Sequence, residues 1–80
     1  MNFEIMSTTD RASNQVLSLT KNGNTYYVSI YHREDSIFAS RENLNLEDAI
    51  KVYTKMVEIF ANGAFNIQDR ISILNSYLMV

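Results

Sequence analysis

The chain predicts an α+β domain: an antiparallel sheet of three to four strands, followed by two C-terminal helices packed on one face. Three observations carry that expectation. The first forty residues alternate with a period of two, the last thirty-five repeat near 3.6, and a β-hairpin centred on Asn22-Gly23 lies within the strand half. With 80 residues, one domain spanning 1–80 is expected, because so short a chain buries only about 60% of the surface its unfolded form exposes.

The elements follow in order. Phe3 and Ile5 alternate with Glu4 and Met6, which suggests a short first strand. Ser7 to Asn14 is polar and without period, and reads as a loop. Val16 to Thr20 and Thr25 to Tyr31 are rich in β-branched and aromatic residues and flank Lys21-Asn22-Gly23-Asn24, where Asn-Gly suits a type I′ turn. Glu34-Asp35-Ser36 has turn composition, so Ile37 to Ser40 returns as a fourth strand. Asn45 then offers a side-chain acceptor to the first turn of a helix, and Glu47 and Asp48 complement its positive end. Its apolar stripe is Leu46, Ala49, Ile50, Tyr53, Met56, Val57 and Phe60, and Asn62-Gly63 supplies a left-handed stop. Asn66-Ile67-Gln68-Asp69 repeats the opening pattern and starts a shorter helix with Ile67, Ile71, Leu74 and Leu78 on its stripe.

Composition removes several chemistries. There is no Cys and only one His, so neither a disulfide framework nor a multi-histidine metal centre can form, and no metal or cofactor is expected. The two glycines stand forty residues apart, which excludes a phosphate-cradling loop, and no G-x-S-x-G elbow is present. His32 falls at a strand end, and a general base needs a proton donor within reach that the sequence does not identify. An enzyme is therefore not expected. No apolar run approaches the roughly 18 residues of a membrane span. Met1-Asn2-Phe3-Glu4 also lacks the basic start of a secretion signal, so the expected compartment is the cytoplasm, without membrane contact.

Charge is unevenly placed. Seven basic and nine acidic residues give a net charge of −2, yet Glu34 to Asp48 holds Glu34, Asp35, Glu42, Glu47 and Asp48 against Arg41 alone. These carboxylates match no EF-hand spacing, so solvated charge at a turn and a helix start explains them better than a cation site. They also suit a protein partner with a basic surface. On the central strand, Tyr27, Ser29, Tyr31 and Arg33 point one way if Tyr26, Val28 and Ile30 point inward. Exposed tyrosines beside an arginine favour a protein interface, and they also suit stacking of single-stranded bases. The competing reading places Tyr27 or Tyr31 in the core. A helix-turn-helix reading of the last thirty-five residues leaves only Arg70 as a base on the second helix, too little to hold phosphates, and direct nucleic-acid binding is not favoured.

Gly23-Asn24-Thr25-Tyr26-Tyr27-Val28-Ser29 and Phe60-Ala61-Asn62-Gly63, about a dozen of the 80 residues, resemble short stretches of small acidic anti-CRISPR proteins encoded by phages of Gram-positive bacteria. Such a resemblance implies a non-catalytic inhibitor in the host-cell cytoplasm. It would set carboxylates against the arginines and lysines with which a nuclease or surveillance complex holds nucleic acid. No site residue carries over by motif. The expectation is thus a non-enzymatic protein-binding module whose contact residues are Glu34, Asp35, Glu42, Glu47, Asp48, Tyr27, Tyr31 and Arg33. A single-stranded nucleic-acid binder, or a small homodimer closed by its C-terminal helix, are the alternatives.

Overall fold

A computed structural model describes residues 2–32 and 36–78. Strands β1 (Asn2–Asp10), β2 (Gln15–Asn22), β3 (Thr25–His32) and β4 (Ile37–Leu44) precede helices α1 (Leu46–Ala61) and α2 (Ile67–Ser76). Each strand pairs antiparallel with the next, so the sheet is a four-stranded meander in the order β1-β2-β3-β4. Both helices pack on one face, as the two periodicities predict, and the molecule measures 33 × 31 × 16 Å. The shortest of these dimensions has room for one sheet and one layer of helices.

The central hairpin forms at the expected place with a different turn. Asn22 pairs with Thr25, leaving Gly23 and Asn24 as the loop, and only Gly23 has a positive φ, +63°. A type I′ turn needs positive φ at both central residues, whereas the pattern here is that of type II′, with glycine first. Ser7 to Asp10 are not loop. They extend β1 against Val16 to Ser18 and Gln15, and the connection shrinks to 11–14, where Asn14 takes a φ of 62°. The fourth strand likewise runs past Ser40 to Leu44, with a bulge where Asn43 has a φ of 62°.

The core lies between the sheet and α1. Leu17 and Leu19 of β2 and Val28 and Ile30 of β3 meet Ala49, Val52, Tyr53, Met56, Ile59 and Phe60 of α1 and Leu74 of α2. Each Leu, Ile, Val, Met or Phe side chain among them contributes about 1.5–3 kcal/mol on leaving water. The buried arc of α1 is rotated relative to the expected stripe. Val52 and Ile59 are inside, while Leu46 and Ile50 are 46% and 48% exposed.

Both helix starts are capped as the sequence predicts. The Asn45 side chain accepts from the Asp48 amide at 2.8 Å. Asn66 and Asp69 form a reciprocal capping box, with N–H···O distances of 2.9 and 3.3 Å. The end of α1 differs: Gly63 does not take a positive φ, and Asn62 ends the helix in extended conformation, its side chain accepting from the Ala64 amide at 3.0 Å. At the end of α2 no basic residue occupies the last turn. Arg41 supplies the missing cation from β4, donating to the carbonyls of Leu74 (3.2 Å) and Tyr77.

Candidate protein-binding face

Strand alternation gives the sheet a second face that no described element covers. On β3 this face carries Tyr27, Ser29 and Tyr31, opposite Thr20, Ser18 and Val16 of β2. Ser18 and Ser29 share a hydrogen bond at 2.9 Å, and both are buried despite the absence of a helix above them. Their cover comes from taller neighbours. The Tyr31 hydroxyl donates across β2 to the Glu4 carboxylate of β1 at 3.5 Å, so the ring leans over the sheet instead of standing off it. Burial, and then the Glu4 charge, hold the Tyr31 phenol above its ordinary value, and it stays neutral at physiological pH. Tyr27 and Tyr31 are half-buried, so neither belongs to the core and each retains surface for a partner.

The charges of this face are acidic. Glu4 lies on it through its Tyr31 contact, and exposed Glu42 sits in the β4 bulge opposite Tyr27. Lys21 pairs with Phe3 and Tyr26, which places it on the opposite pleat, and Arg41 turns toward α2. The tyrosines therefore have no described cation beside them. Glu47 and Asp48 stand in the first turn of α1, which packs on the other face of the sheet, and exposed Glu47 meets Lys51 at 3.2 Å. Arg33, Glu34 and Asp35, the remaining expected contact residues, lie outside the described residues. His32 is half-buried at the end of β3, its ring edge-on to Phe38 at 6.2 Å.

Comparison with protein-family models, curated proteins and solved structures finds no match. The site rests on its own chemistry. No helix among the described residues is long and apolar enough to cross a membrane, and no group of three metal-ligating side chains occurs among them.

Two features escape the sequence reading. One is Glu4, whose role needs the β1–β2–β3 register; the alternation of Val16, Ser18 and Thr20 against Leu17 and Leu19 was the available signal. The other is Arg70, the one base on the second helix, which is 2% exposed. Its guanidinium stacks on the Phe60 ring at 4.2 Å and donates to Asp10 (2.8 Å), Gln15 (2.7 Å), Ser13 (3.3 Å) and the Phe60 carbonyl (3.4 Å). It borders an open cleft of about 460 Å³ between the β1–β2 turn and the α1–α2 connection, whose walls include Asp10, Phe65 and Asn66. Arg70 thus clamps α2 to the end of the β1–β2 hairpin.

The clamp has a pH signature. The Arg70 hydrogen bond, with help from Ser13, holds the Asp10 carboxyl below its ordinary 3.8. A lowered folded-state value adds stability above the unfolded pKa, and that stability is lost as pH falls through the folded value. Urea midpoints of the native protein should therefore drop on acidification below about pH 4 more steeply than those of Asp10→Asn. Equal slopes would remove Asp10 from the acid transition.

Proposed function

We propose that this chain is a non-enzymatic protein-binding module that sets the uncovered face of its sheet against a basic surface of its partner. The observation that carries this reading is the composition of that face: Tyr27 and Tyr31 half-exposed over a floor of mutually bonded serines, with Glu4 and Glu42 as its charges and no described cation. Aromatic side chains over a buried floor suit a contact whose energy is concentrated in a few residues, and the carboxylates select cationic partners. Glu47 and Asp48 in the first turn of α1, with Arg33, Glu34 and Asp35, complete the proposed contact set. The finer reading rests on the sequence resemblance. In it the partner is a nucleic-acid-handling host defence complex, and the chain is a phage-encoded inhibitor of the anti-CRISPR type acting in the bacterial cytoplasm.

Capture from bacterial lysate, with nuclease treatment and a salt series, tests the coarser reading. A single basic protein should survive nuclease and dissociate in high salt. Tyr27→Ala with Tyr31→Ala should weaken its binding by about 30-fold or more. Glu4→Lys with Glu42→Lys should slow association and reverse the salt dependence. Recovery of oligonucleotide in place of protein would overturn the reading in favour of a stacking platform. The finer reading is tested by adding the protein to guide-RNA-loaded nuclease and measuring target cleavage, which it should suppress.

A further inference from the structure

We propose that the open face of the sheet takes an extended segment of the partner that carries two arginines four positions apart. The segment lies across the strands, with one guanidinium on Glu4 and Tyr31 and the other on Glu42 and Tyr27. This rests on the open face being the site where a basic partner binds.

Register puts the two carboxylates in one row. Glu4 pairs with Thr20, Thr20 pairs with Tyr27, and Glu42 sits in the β4 bulge opposite Tyr27, so the row crosses all four strands. Both acids are exposed, and neither forms an ion pair among the described residues. Three interstrand steps of about 4.8 Å set them about 14 Å apart, too far for one cation to serve both. Each acid has its own tyrosine. The Tyr31 hydroxyl reaches across β2 to Glu4 at 3.5 Å, and Tyr27 stands on the strand beside Glu42. Between these two half-sites Thr20 is only 6% exposed and carries no charge, so the row is acidic at its ends and neutral in its middle.

That spacing selects the conformation of the occupant. In an extended chain, residues four positions apart project to the same side at about 13 Å, close to the separation of the acids. In an α-helix, residues that share a face recur at about 10.5 or 16.5 Å, after seven or eleven positions, and both miss it. Arginine suits each half-site better than lysine. Its planar guanidinium can stack on a tyrosine ring while its N–H groups pair with the carboxylate, whereas an ammonium is a point charge.

Titration of the native 80-residue chain with synthetic peptides, followed by backbone amide shifts at low salt, tests this. A capped peptide with three alanines between two arginines should bind about fivefold more tightly than peptides with one or five alanines between them. All three spacings keep both arginines on one side of an extended chain, so only their separation is varied. The shifts should centre on Glu4, Thr20, Tyr27 and Glu42. Glu4→Gln and Glu42→Gln should each weaken the best peptide by about fivefold and erase the preference for its spacing. Gln at position 4 keeps an acceptor for the Tyr31 hydroxyl, so the ring stays in place. Glu58→Gln, on an exposed acid of α1, should change nothing. Equal affinity at all three spacings, shifts outside the row, or no binding by any of the peptides would each overturn the proposal. Failure of the broader reading looks different: the basic protein captured from lysate would then bind the variant Tyr27→Ala with Tyr31→Ala as tightly as the native chain.

Discussion

Replacing Arg70 with Ala should cost about 3–5 kcal/mol and leave much of the population unfolded. An 80-residue domain holds roughly 4–12 kcal/mol in total, so this one side chain carries a large share of it. The cost has three sources. Asp10, one-fifth exposed, loses its counter-ion. The Gln15 side chain and the Phe60 carbonyl lose a donor inside the fold, and the Phe60 ring loses the plane stacked on it. Arg70→Lys should recover little, since a point charge cannot serve Asp10, Gln15 and Ser13 together as a planar fork does. The Arg70 Nε is itself buried without a partner, so the ion pair is imperfectly satisfied even in the native protein. A double replacement, Asp10→Leu with Arg70→Met, should therefore recover most of the stability that Arg70→Ala loses, because it removes both charges together. Chemical denaturation of the three proteins decides the matter: a double variant as unstable as Arg70→Ala would mean that the clamp acts through geometry and not through charge.

Arg70 also marks where sequence stops being informative. Its role depends on Asp10, sixty positions earlier, and on the sheet register that sets Asp10 opposite Gln15. Nothing local distinguishes it from a solvated base beside Asp69. The features that were legible are those whose causes are local: the Asn22-Gly23 hairpin, the Asn45 cap and the Asn66–Asp69 box, each fixed by residues within four positions. The length of β1 was not legible because Ser7 to Asp10 have no period of their own and are held as strand by β2. The rotation of α1 has the same origin. Leu46, Ile50, Val52 and Ile59 make its apolar arc wider than one face can bury, and the sheet decides which side goes inward. For the site, alternation along β3 correctly sets Tyr26, Val28 and Ile30 against Tyr27, Ser29 and Tyr31, since the side-chain period of a strand is two. Glu42 on that face was legible as part of the acidic stretch, whereas Glu4 was not, because its contact with Tyr31 spans three strands.

That same alternation makes stability and recognition separable on one strand, and Ile30→Ala is the sharpest expression of it. Ile30 is fully buried, flanked by Leu17 on β2 and Ala39 on β4, and lies under the helix layer. Truncation to Ala leaves a cavity in a core too small to collapse around it, at a cost of about 2–5 kcal/mol. Ile30→Val should cost only about 0.5–1.5 kcal/mol. Neither substitution touches the other pleat, where Ser29 stays bonded to Ser18 and Tyr31 keeps its contact with Glu4. Once the smaller folded fraction is corrected for, Ile30→Ala should thus bind a partner of the open face with native affinity, while Tyr27→Ala with Tyr31→Ala should lose affinity well beyond any loss of stability. Urea denaturation and binding measured on the same two proteins test both halves. A corrected affinity that falls with Ile30→Ala would mean that the face is shaped by the core beneath it, and that the two sides of β3 are one mechanical unit.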